Sequence, residues 1–315
     1  MHIPDGFLDG KTMAVAGGLA AAGLAVAIRQ VNRRLPRSKT PLMGLAAAFV
    51  FAAQMLNFPV AGGTSGHLLG GVLAAVLLGP AAGAVVISAV LILQCFLFSD
   101  GGVLALGANV FNMAIVGTVG GYGIYALARR AVGGLHGQIT AVVFAAWCST
   151  LLASLTCAGE LAFSETAAAG VVFPAMSGVH VLIGLGEALI TALVILAIRK
   201  VRPELVDPEH RQAGGVGWET LAFGLVIALG LAMFIAPFAS SWPDGLEKVA
   251  AQFGFEKQAK TLMKSLIPDY QVSDISSEGL ATAVAGSVGT IVMFVAAWIV
   301  GGLLVRRETK AEKQG

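Results

Sequence analysis

Residues 12–28, TMAVAGGLAAAGLAVAI, run directly into the basic stretch RQVNRRLPRSK at 29–39, and this junction decides how the chain folds. An uncharged run of roughly 17–25 residues is long enough to cross a bilayer as a helix. A secretory leader carries its positive charge ahead of the apolar core; here Arg29, Arg33, Arg34, Arg37 and Lys39 follow it. Cations gather on the cytoplasmic side of short loops, so 29–40 is expected inside and Met1 outside.

The rest of the chain extends this reading. Its 315 residues are 57% hydrophobic and 12% charged, with a mean hydropathy of +0.83, whereas soluble domains carry about 25% charged residues. The chain reads as an all-α polytopic membrane protein of the prokaryotic cell (inner) membrane, its spans lying in the lipid bilayer. Apolar runs at 12–28, 41–57, 68–79, 81–98, 103–128, 138–158, 179–198, 218–238 and 279–305 give nine crossings. All but five of the 20 Lys and Arg then fall inside, the exceptions being Lys11, Lys248, Lys257, Lys260 and Lys264. Residues 68–79 alone would make a helix of about 18 Å. Thr64 as N-cap lengthens it and makes His67 its third helical residue.

These spans divide into a seven-span bundle over 1–202, a cytoplasmic linker at 203–217, a two-span hairpin over 218–305 and a cytoplasmic tail at 306–315. The hairpin's outer segment, 239–278, opens with Trp242-Pro-Asp-Gly-Leu-Glu247 and continues as an amphipathic helix through 265; it is too short for an enzyme domain. A polar connection after 158 bears Glu160 and Glu165. The 41 glycines suit close helix packing, and Gly17, Ala21 and Ala25 form a small-residue stripe on the first span. Cys95, Cys148 and Cys157 read as small core residues. The net charge of +2 and the sparse aromatics point away from nucleic acid.

The first two residues carry the most chemistry. The Met1 amine, the deprotonated His2 amide and His2 Nδ1 can close a five- and a six-membered chelate ring around one metal ion. They supply three corners of a square plane, the geometry Ni²⁺ and Cu²⁺ prefer. Removal of an initiator Met needs a small second residue, so His2 is expected to keep Met1 in place. The bland alternative is a surface His on a frayed terminus. His67, on the same outer side, is a candidate for the fourth corner; it could equally be an interfacial His bonded to a backbone carbonyl. Asn109 and Asn112, at i and i+3, read either as support for a ligand or as interhelical glue. His180 and Glu187 share one helix, and Glu187 falls near mid-membrane, where an ionisable residue marks function. No P-loop and no His-Glu-x-x-His motif occurs: Gly6-Phe-Leu-Asp-Gly-Lys-Thr12 is one residue short of the former. The chain is therefore read as neither an ATPase nor a metalloprotease.

Met1-His2-Ile-Pro-Asp-Gly-Phe-Leu8 resembles the signature of CbiM/NikM proteins, the substrate-binding (S) components of energy-coupling-factor (ECF) cobalt and nickel importers. The likeness extends through Gly66-His67-Leu-Leu-Gly-Gly71, the Gly-Ala-Asn-x-x-Asn-Met segment at 107–113, and Gly178 to Glu187. Residues 242–285 resemble the PDGLE (NikN/CbiN-like) accessory module. The resemblance implies a four-nitrogen site from Met1, His2 and His67, with Ni²⁺ or Co²⁺ as transported ligand and no resident cofactor. It also implies separate partners, a transmembrane coupling (T) subunit and two cytoplasmic ATPases. Amide-nitrogen ligation and the NikN-like tail favour nickel over cobalt. The competing classes are a stand-alone secondary transporter with His180 and Glu187 as relay, and a non-transporting metal sensor.

Overall fold

The computed structural model describes residues 1–132, 134–206 and 216–305. Arg211 and the tail 306–315 lie outside the described residues, as does most of the linker. The fold is all-α, with one two-stranded hairpin among the described residues. Helix α1 (Gly10–Arg34) starts where Asp9 accepts from Thr12 N at 2.8 Å and ends on Arg33 and Arg34, which complement its dipole. Helix α2 (Thr40–Gln54) begins with a proline in its first turn. After the hairpin β1 (Phe58–Val60) and β2 (Thr64–Gly66), α3 (Gly71–Leu78) and α4 (Pro80–Leu93) turn about Gly79, and α4 runs on as a π-helical turn to Phe98. Helices α5 (Leu106–Asn109) and α6 (Gly121–Ala131) are joined by a π-helical stretch into one rod. Helices α7 (Gly134–Phe163) and α8 (Ala169–Val201) pair along their length. Beyond the linker come α9 (Trp218–Gly230), continuing to Phe238, the short α10 (Gly245–Phe253), and α11 (Glu278–Leu304), which lies along α2.

Among the described residues seven helices are long and apolar enough to cross a membrane. The region around 58–80 departs from expectation. Thr64 caps no helix; Thr64–Gly66 is a strand, and α3 begins only at Gly71. Gly70 adopts φ 75, a left-handed conformation that no helix interior accepts. At eight residues α3 is about 12 Å long, less than half the hydrocarbon thickness. His67 therefore sits in irregular backbone between β2 and α3, and no helix dipole acts on it from the first turn.

Three other boundaries moved. Helix α7 carries Glu160 inside its last turns, 7% exposed and not in a polar connection. Helix α8 starts ten residues before the apolar run at 179, with Pro174 tolerated within it. In the outer segment α10 stops at Gly254, in a left-handed C-cap with φ 77, well short of 265. On α1, Gly17 packs directly on Gly107, while Ala21 and Ala25 are exposed.

Candidate metal centre

The N-terminal segment is threaded into the bundle. Met1, Ile3, Asp5, Phe7 and Leu8 are buried, and polar contacts fix the backbone between them. Asn109 Oδ1 accepts from Ile3 N at 2.8 Å, and Asn109 Nδ2 donates to Ile3 O at 3.1 Å. Asp5 accepts from the amides of Val103, Leu104 and Ala105 at 2.8–3.2 Å, filling the donors that precede α5. Gly102 N donates to Ile3 O, and Lys260 N to Asp5 O. This is not a frayed terminus.

The Met1 amine lies 2.7 Å from His67 Nε2 and 2.7 Å from Asp244 Oδ2. His67 Nδ1 lies 3.1 Å from the Leu68 carbonyl, which can only accept. Nδ1 therefore carries the proton, and Nε2 turns its lone pair to the amine. His67 is thus bonded to a backbone carbonyl, and that bond aims its other nitrogen at the Met1 amine. Burial first, and then the charge of the neighbouring amine, lower its pKa to about 3. The ring is neutral at physiological pH, as ligation requires.

This depression sets a pH dependence. The unfolded chain binds a proton at His67 below its ordinary value of 6.5, whereas the folded ring refuses one until about 3. Folding stability from this group is lost as pH falls through that window. Denaturation midpoints measured between pH 7 and 4 should fall less for His67→Asn than for the parent chain.

His2 stacks on His67, ring centroids 5.2 Å apart and planes 19° from parallel. Its Nδ1 lies 3.0 Å from Asp100 Oδ1, and Tyr270 donates to Asp100 Oδ2 at 2.6 Å. His2 Nε2 is buried without a hydrogen-bond partner. Burial would raise the pKa of Asp100, but His2 and the Tyr270 hydroxyl outweigh it and hold the carboxyl below its usual range. Asp244 behaves alike: burial pushes up, and the Met1 amine and local hydrogen bonds win.

Glu187 is the second anchor of this loop. Its carboxylate accepts from Leu69 N at 2.5 Å and Gly70 N at 3.0 Å, while Gln54 donates to Leu69 O. His180 bonds elsewhere, through Nδ1 to the Met176 carbonyl at 2.8 Å, and its Nε2 is buried and unpartnered. A Cβ on Gly245 would come within 2.7 Å of the His180 ring, so α10 can seat here only through a glycine. Asn112 does not reach the site; it donates to Glu160 at 2.6 Å, tying the 106–131 rod to α7.

Four residues that hold this arrangement were not singled out from sequence: Asp244, Asp100, Tyr270 and Asp5. The signal was present in the Pro-Asp-Gly repeated at 4–6 and 243–245. Both aspartates accept backbone amides, Asp244 through a capping box with Glu247. The outer segment closes the site with main-chain bonds too: Ser65 N donates to Pro243 O at 2.8 Å, and Ile267 N to Leu97 O at 3.0 Å.

Among the described residues no three His, Cys, Asp or Glu side chains are grouped to hold a metal. Metal–nitrogen bonds of about 2.0 Å place adjacent corners of a square plane about 2.8 Å apart. The 2.7 Å between the Met1 amine and His67 Nε2 is that spacing.

Comparison with known proteins gives a consistent picture. Residues 2–205 match the family model described as CbiM, cobalt uptake substrate-specific transmembrane region, and residues 218–306 match the PDGLE domain. A putative fused nickel transport protein NikMN of Archaeoglobus fulgidus is 37% identical over 298 residues, covering 93% of this chain and 95% of its own length. The fused nickel transport protein NikMN of Rhodobacter capsulatus is 36% identical over 228 residues, covering 68% of this chain and 66% of its own. A crystal structure of a transition metal transporter superposes with a TM-score of 0.59 at 35% identity, covering 67% of this chain and 97% of that one.

Proposed function

Because the chain belongs to the CbiM family and continues into a PDGLE domain, we propose that it is the substrate-binding membrane subunit of an ATP-driven ECF-type importer for nickel or cobalt ions. The observation that carries this reading is the buried Met1 amine, set 2.7 Å from the lone pair of a neutral His67. The ion is held by the Met1 amine, the His2 amide, His2 Nδ1 and His67 Nε2. Before it binds, Asp244 occupies the amine and Asp100 occupies His2 Nδ1. Capture takes one proton from the ammonium and one from the His2 amide, and His2 meets the ion through an unprotonated Nδ1. The carboxylate remains as acceptor for the bound amine.

The Met1 end faces the outside and the basic helix ends face the cytoplasm. The PDGLE module, through Asp244 and Tyr270, covers the loaded site. Separate coupling and ATPase chains then reorient the subunit and release the ion inside. This chain contributes recognition and no hydrolysis. The amide-nitrogen site favours Ni²⁺ over Co²⁺.

Uptake of radioactive Ni²⁺ into vesicles tests the proposal. The chain alone should give no gradient-driven uptake, and addition of coupling and ATPase subunits with ATP should give uptake that His2→Ala abolishes. Transport by the lone chain that persists in His2→Ala contradicts it. Asn109 holds Ile3 and so places the chelate from outside it. Asn109→Ala should weaken Ni²⁺ affinity about 10–100-fold in calorimetry.

A further inference from the structure

At the end of the bundle opposite Met1, a cavity of about 450 Å³ opens between α2, α3, α8 and α9. Leu45, Phe49, Leu73, Leu77, Val194 and Phe223 line it, and among the described residues Arg202 and Glu219 are its charged lining groups. Apolar cavities of about 150 Å³ already take a benzene-sized guest, so this one has room for roughly three times that bulk. It lies at the seam between the seven-span bundle and the PDGLE hairpin, where α9 leans on α2.

The chemistry of the lining sorts by depth. The apolar walls come from α2, α3, α9 and the last turns of α8, and the two charges stand at the very ends, Arg202 as the C-cap of α8 and Glu219 in the first turn of α9. Arg202 Nε pairs with Glu204. A guanidinium has five N–H donors in a planar fork, enough to hold that carboxylate and a phosphate together. Basic residues cluster at the same helix ends: Arg37 and Lys39 before α2, Lys200 in the last turn of α8. An apolar slot with a cation and an anion at the rim matches one molecule by charge: an acyl chain below a phosphate that carries an ammonium.

We propose that this cavity binds one aminophospholipid of the leaflet opposite the Met1 site. An acyl chain fills the slot, the phosphate sits on Arg202, and the headgroup ammonium sits on Glu219. The lipid then serves as packing between two modules whose described side chains leave the seam open. This assignment does not depend on which ion the outer site takes.

Native mass spectrometry of the full chain in detergent, with dioleoyl phosphatidylethanolamine or phosphatidylglycerol added, tests it. One phosphatidylethanolamine should be retained per chain, about tenfold more than phosphatidylglycerol. Arg202→Ala should lose the retention, Glu219→Lys should reverse the headgroup preference, and Leu77→Trp should exclude both lipids by filling the slot. Unchanged Ni²⁺ binding at the distant Met1 site certifies the fold of each variant. Equal retention of the two lipids, retention that survives Leu77→Trp, or a coupling-subunit helix cross-linked into the slot with no lipid retained would overturn the assignment.

Discussion

A single glycine placed before Met1 is expected to weaken Ni²⁺ binding by at least about a hundredfold. The extension turns the primary amine into an amide, which ligates only after losing its own proton, and it adds a residue where the folded site has no room for one. It also strips Asp244 of its ammonium partner at 2.7 Å. The hundredfold corresponds to about 2.8 kcal/mol, since each 1.4 kcal/mol is a factor of ten in affinity. Space forbids a simple adjustment, because Met1 is 7% exposed and the cavity beside it measures about 20 Å³. Calorimetry on the extended and parent chains gives the answer. Affinity within about threefold of the parent would mean that the amine is no ligand.

Glu187→Ala should be the most destabilising single change at the site. The carboxylate satisfies two buried amides, Leu69 N and Gly70 N, which no water at that depth would replace. Each stranded N–H costs about 1–3 kcal/mol, so a loss near 4 kcal/mol and a fall of about 10 °C in melting temperature are expected. The backbone it holds begins two residues after His67, and metal affinity should fall with it. A secondary transporter with Glu187 as proton relay predicts the reverse, a stable variant that binds metal and fails only in coupled transport. Thermal melts and Ni²⁺ titration of the same preparation separate the two.

Much of this fold was legible because lipid imposes simple rules. Length and the lack of charge marked the long spans, seven helices among the described residues. The rules failed where local backbone chemistry prevails over hydropathy. Gly70 and the Glu187 carboxylate stop a helix that apolar periodicity runs back to Thr64. Gly254 ends α10 where the amphipathic pattern goes on. Met1, His2 and His67, singled out from sequence, do meet in the structure. Asp244 and Tyr270 were not singled out, since their role arises from contacts across more than 150 residues of sequence. Asn109 and Asn112 look equivalent on a helical face, yet only Asn109 meets the terminal segment.

X-ray absorption at the nickel edge of the loaded chain tests the four-nitrogen site directly. Four nitrogen neighbours at about 1.9–2.1 Å, a square-planar edge shape and no sulfur are expected. Six-coordinate nickel with oxygen neighbours, or a spectrum unchanged in His2→Ala, would contradict it.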